Sequence, residues 1–181
     1  MSNGGNPSGI VYTRDELEQI ADLARRVGCW VFSHEEYEET LLGRQTHYSI
    51  ASLPGMKERT VTAFSFSKAY GMTAYRIGYA VGPANVIDHM HSILRFSLQA
   101  CSAVGQRAAH AVLTGDMEPW LRDNIANLER MRDYLVDRLN RIPGIRCNTP
   151  KGCYFTFPDV RGLGLPTFEL AEHILRHGRV S

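Results

Sequence analysis

The spacing of hydrophobic positions changes several times along the chain, and each change marks an element. Leu17, Ile20, Ala21, Ala24 and Val27 recur at helical spacing, which places them on one stripe of a helix. Thr13 followed by Glu16 has the form of a capping box, in which both side chains satisfy free N–H groups at a helix start. Gly28 suits the position after the last turn. The compact run Cys29-Trp30-Val31-Phe32 then reads as a buried strand. Helix followed by buried strand is half of a βαβ unit and predicts a parallel sheet.

Further strands are expected over Thr60 to Phe66 and Arg76 to Val81, with Ser67 to Met72 as a polar loop between them. Pro83 and Ala84 open a helix reaching about Phe96, and another covers roughly Val104 to Leu113. From Glu118 onward, Leu121, Ile125, Leu128, Met131, Leu135, Leu139 and Ile142 share one side of a long amphipathic helix. Pro143-Gly144 stops it. Short strands at Ile145 to Asn148 and Cys153 to Phe157, then a helix at Phe168 to His177, complete the pattern. The expected fold class is α/β: a larger domain over residues 1–115 with a mostly parallel sheet, then residues 116–181 as a long connecting helix and a small α+β lobe.

Bulk properties narrow the function classes. The chain has 181 residues, enough for one good core or a core with a satellite. A net charge of +1 with both signs interspersed argues against a nucleic-acid partner or an acidic membrane surface. No apolar run approaches the ~18 residues of a membrane span, and the start MSNGGNPSG lacks the pattern of a signal peptide. Cys29, Cys101, Cys147 and Cys153 are dispersed, so disulfides and zinc are not expected and a reducing cytoplasm is. None of His47, His89, His91, His110, His173 and His177 has a second ligand at zinc spacing, so no metal is expected.

The chemistry concentrates in Ser65-Phe66-Ser67-Lys68-Ala69-Tyr70-Gly71-Met72-Thr73-Ala74-Tyr75-Arg76. A lysine that attacks a carbonyl needs a neutral, desolvated amine, and a nearby guanidinium helps depress its pKa. An arginine also presents a flat fork of donors suited to phosphate, and hydroxyls add neutral hydrogen bonds. This stretch resembles the S-x-S-K-x-x-G-M-x-G-x-R signature of the class I/II aminotransferases, the fold-type-I enzymes dependent on pyridoxal 5′-phosphate (PLP). Three other segments resemble that family in order: Asn6-Pro7-Ser8-Gly9, Ser33-His34-Glu35-Glu36-Tyr37, and Pro150-Lys151-Gly152-Cys153-Tyr154-Phe155.

The resemblance implies roles residue by residue. Lys68 would carry PLP as an imine and move the proton at the substrate α-carbon. Ser65 and Arg76 would bind its phosphate, with Ser67 assisting, while Asn6 and Tyr37 would bond its phenolic oxygen. His34 falls where the family has the aspartate partnering the pyridine nitrogen; a neutral imidazole supplies no carboxylate charge there. Ala74 and Tyr75 replace the family's glycine and tryptophan. The chain is also short for the family, and Arg179-Val180-Ser181 stands where a V-x-P-G loop begins. The implied function is amino-group transfer between an amino acid and a 2-oxo acid. The partner is a second copy or a complementing chain. The alternatives are a non-catalytic PLP-fold remnant or regulatory module, or one half of a split enzyme with altered chemistry.

Overall fold

The computed structural model describes residues 1–178; the loop expected at Arg179-Val180-Ser181 lies outside them. The capping box forms as the sequence requires: Glu16 N donates to Thr13 Oγ1 at 3.3 Å, and Thr13 N donates to Glu16 Oε2 at 2.8 Å. It opens α1 (Arg14–Val27), which Gly28 closes in a left-handed conformation. Leu17, Ala21 and Ala24 turn inward and pack on Ile50, Leu53 and Met56.

The sheet has three strands, β1 (Val31–His34), β2 (Thr60–Ser65) and β3 (Gly78–Val81), in that spatial order. β1 and β2 are parallel, with His34 opposite Ala63. β2 and β3 are antiparallel, with Ser65 opposite Gly78. Two expectations shift here. β1 starts two residues later than the apolar run, because Cys29 N is still bonded to Ala24 O at 3.1 Å in the helix exit. The strand is also not buried on both faces: Phe32 is 56% exposed while Ser33 is fully buried, the alternation of a one-sided strand. β3 begins after Arg76, which adopts φ 51° and so cannot continue a strand.

Four more α-helices follow among the described residues: α2 (Ala84–Ser97), α3 (Ala103–Thr114), α4 (Glu118–Asn140) and α5 (Thr167–His173), the last continued by a wider turn over Ile174–Gly178. α3 supplies Ala109 to a second core cluster with Phe66, Met72 and Ile77. α4 braces the loops through three bonds. Trp120 Nε1 donates to Ala69 O at 3.0 Å, Gly43 N to Glu129 Oε1 at 2.6 Å, and Arg132 Nη1 to Pro150 O at 3.4 Å. The strand expected at Ile145 to Asn148 reduces to a single bridge, Arg146 with Asp159, and the one expected at Cys153 to Phe157 does not form, the bridge of Gly152 with Leu41 falling just before it. A strand needs a neighbour along its length to satisfy its backbone; the first segment meets one at a single residue, and the second pairs with none among the described residues. No helix among the described residues is long and apolar enough to cross a membrane.

Candidate functional site

The register brings the sequence-selected residues to one end of the sheet. His34 closes β1 and Ser65 closes β2, and these parallel strands end together. The bond from Phe66 N to Ile77 O, at 3.3 Å, extends the β2–β3 pairing beyond Ser65, so the chain from Ser67 to Arg76 loops out at that end. This is the carboxyl end of the parallel pair, where open α/β sheets place ligands. Ser2 bridges His34, which brings the Asn6 turn to the same place.

That turn is locked in position. Asn6-Pro7 is a cis peptide and Asn6 is exposed. Gly9 has φ 64°, and a Cβ on it would stand 2.4 Å from Pro150 Cβ; only glycine fits there. Lys151 N donates to Gly9 O at 2.9 Å, and Leu42 N donates to Lys151 O at 2.8 Å. The Pro150–Phe155 segment therefore lies between the Asn6 turn and the residues following Tyr37. Three of the four motifs, far apart in sequence, are stitched together here.

Lys68 is half-buried in the loop after β2, and its Nζ lies 5.6 Å from the centroid of the Tyr154 ring. Tyr154 in turn meets Tyr37 edge-on, with centroids 5.5 Å apart. The Tyr37 side chain is fully buried, yet its hydroxyl has no hydrogen-bond partner among the described residues. Burial, then the charge of Glu36, pushes its pKa upward, so it stays a phenol. A buried hydroxyl without a partner costs about 1–3 kcal/mol, which an acceptor on a bound molecule would recover. Ser65 Oγ accepts from Ser67 N at 3.2 Å, and Thr73 Oγ1 donates to Ser67 O at 3.0 Å, shaping the loop around Lys68. Arg76 is exposed, with one nitrogen on Thr73 O at 3.1 Å.

His34 is 45% exposed on its side chain, and its Nε2 stands 3.8 Å from Glu36 Oε2. Glu36 is far more buried. Its carboxylate raises the pKa of Tyr37 and, after burial, that of Tyr154, which reaches about 12. Glu38 is pushed up to about 7, first by burial and then by Glu39, Glu35 and Glu36. Motif reading did not select Tyr154, Glu35, Glu36 or His47 as site residues. Tyr154 and Glu36 sit where the resembled motifs leave the residue free, and Glu35 matches a fixed position to which the resemblance attaches no role. His47 carries no sequence signal.

The chemistry of this set fits PLP. It offers a lysine near one phenol that packs on a second, an orphaned buried hydroxyl, and serine with arginine at the end of adjoining strands. His34 departs from the set, an imidazole at the position where the resembled motif has an aspartate.

Relatives agree with that reading. The sequence profile of the family described as "Aminotransferase class I and II" matches residues 2–179. The aspartate aminotransferase of Musicola paradisiaca (strain Ech703) is 38% identical over 184 aligned residues, spanning 100% of this chain and 45% of that protein. An aromatic-amino-acid aminotransferase of Thermococcus litoralis is 34% identical, over 99% of this chain and 46% of its own. The crystal structure of an aromatic aminotransferase from Pyrococcus horikoshii OT3 superposes with a TM-score of 0.95 at 33% identity, covering 99% of this chain and 48% of that one. The chain thus spans about half the length of the relatives it matches. With its fold, its four motifs and nearly its whole length accounted for, the chain belongs to the class I and II aminotransferase family, whose members depend on PLP.

Proposed function

We propose that this chain carries the cofactor-binding half of a PLP-dependent aminotransferase acting between an amino acid and a 2-oxo acid. The observation that carries the reading is the buried, unpartnered hydroxyl of Tyr37, joined through Tyr154 to the amine of Lys68. PLP, when bound, supplies an aldehyde for the lysine and an electron-withdrawing ring. The chain's residues then divide the work. Lys68 would hold the cofactor covalently and would serve as the base at the substrate α-carbon. Arg76, Ser65 and Ser67 hold the phosphate, Arg76 by charge-assisted bonds. Asn6 and Tyr37 would orient the ring through its phenolic oxygen, and His34 would stand in for the carboxylate partner of the ring nitrogen.

We place the lobe boundary near Asp116, with the larger domain over 1–115 and the long helix and small lobe over 116–181. We further propose a cytoplasmic protein of amino-acid metabolism that works as a dimer or with a complementing chain. Large exposed apolar side chains support a partner: Phe96 on α2 is 94% exposed and Phe168 on α5 is 82% exposed. His34 favours a second reading, a PLP-binding remnant or regulatory module without turnover.

The test is a PLP titration of the full chain, following the near-visible band that PLP gains on attachment to a lysine. Wild type should develop the band and Lys68→Ala should not. A folded wild type without the band would sink the reading. An amino acid that discharges the band separates an enzyme from a remnant.

A further inference from the structure

We infer that Glu35 is the positioning residue of this site: its buried carboxylate latches the His34–Tyr37 turn to the loop over residues 46–49, and through that loop to the Asn6 turn. The inference rests on the proposed PLP site for its consequence, though not for its geometry.

Glu35 is fully buried, between two residues assigned to the cofactor, His34 and Tyr37. An ionised carboxylate inside a protein is strongly unfavourable unless donors surround it. Here they come from two elements. Ser33 Oγ donates to Glu35 Oε1 at 2.7 Å from β1, and Ser49 Oγ donates to the same oxygen at 2.9 Å from the loop. The other oxygen, Oε2, lies 3.3 Å from His47 Nε2. Neither atom has a hydrogen-bond partner among the described residues, so the two meet as a close contact without hydrogen-bond geometry. The backbone N–H of Glu35 meanwhile donates to Ala63 O at 2.9 Å, which ties the turn to β2.

The same loop reaches the other wall of the site. Tyr48 O accepts from Asn3 Nδ2 at 2.9 Å, and Asn3 Oδ1 accepts from Tyr12 N at 2.9 Å. Asn3 is itself buried, three residues before Asn6. The stretch His47-Tyr48-Ser49 therefore grips both turns that would orient the cofactor ring, one by a buried carboxylate and the other by a buried amide. Burial holds the His47 imidazole below its ordinary range, against the pull of Glu35 and Glu39. The ring that Glu35 Oε2 approaches is thus uncharged near neutral pH, and the contact is one of packing rather than an ion pair. Glu35 spends its oxygens on Ser33, Ser49 and His47, so it acts on the site by holding its neighbours.

Two measurements on the full chain test this: hydrogen–deuterium exchange without PLP, and PLP titration. Glu35→Leu keeps the volume and removes the acceptors. It should raise exchange at least tenfold in residues 33–40 and 1–12, leave α3 unchanged, and weaken PLP binding tenfold or more. Ser49→Ala, the gentler variant if Glu35→Leu does not fold, should move both readouts the same way by less. Glu35→Gln keeps an acceptor for both hydroxyls and should recover most of the loss. Exchange that rises throughout, α3 included, marks general destabilisation and overturns the assignment. Loosened turns with unchanged PLP affinity overturn it too. A wild type that never binds PLP defeats the proposed function, while the exchange data still decide whether Glu35 latches the two turns.

Discussion

His34 is the residue on which the chemistry turns. A carboxylate about 4 Å from a ring nitrogen contributes roughly 4 kcal/mol at an effective dielectric near 20, equivalent to ~3 pKa units. An imidazole that is 45% exposed supplies nothing comparable, and Glu36, 3.8 Å away, is the nearest carboxylate to it given by the structure. Restoring the charge with His34→Asp is therefore expected to speed discharge of the lysine-bound PLP band by an amino acid at least tenfold. An unchanged rate would remove His34 from the ring nitrogen. Residues of this kind were legible in the sequence because covalent and phosphate chemistry ties particular side chains to fixed spacings. Lys68, Ser65 and Arg76 belong to that class. The contact of Glu35 with His47 does not: it closes across a loop with no period, and nothing in the chain between them announces it. Tyr154 was equally silent, since an aromatic at a free position of a motif reads as core until the fold sets it between Lys68 and Tyr37.

Among elements, those whose ends are set by local chemistry followed the sequence, and those that depend on a neighbour did not. α1 begins and ends where Thr13, Glu16 and Gly28 place it, because caps act within one turn. β1 slipped by two residues, since the ladder to Thr60 sets its start and apolar content does not. The expected strand from Cys153 to Phe157 dissolved for the same reason. The Asn6 turn is the element most dependent on close approach, and its glycine gives a measurable contrast. Gly9 and Gly28 have nearly equal φ, 64° and 69°, but a Cβ on Gly28 meets nothing within 4 Å whereas one on Gly9 strikes Pro150 and Gly152. Gly28→Ala should cost about 1 kcal/mol from backbone strain alone. Gly9→Ala should cost at least about 2 kcal/mol more, the scale of an overpacked core, in urea denaturation. Equal losses would show that the turn is not clamped by Pro150 and Gly152.

For the molecule as a whole, stability should carry the imprint of the acidic flank. Glu38 lies among Glu35, Glu36 and Glu39, and burial with that repulsion raises its pKa from 4.5 to about 7. The folded state then holds the proton more tightly than the unfolded chain, so stability falls as pH rises between those values. The penalty is absent below about pH 4.5 and complete above about pH 7, amounting to at most ~3 kcal/mol at ~1.4 kcal/mol per pKa unit. His47 works in the opposite sense. Its folded pKa is depressed below 6.5, so the unfolded chain takes up the proton first and stability falls as pH drops through 6.5. The two slopes oppose each other below pH 6.5, so wild type should vary less with pH there than either group alone would make it. Glu38→Gln removes one slope and leaves the other. Its gain over wild type in urea denaturation should be small at pH 5 and one to several kcal/mol at pH 8, while its own stability climbs from pH 5 to 7. A gain that is the same at both pH values would mean Glu38 is not a buried acid, and that the flank beside Tyr37 is solvated rather than held inside the fold.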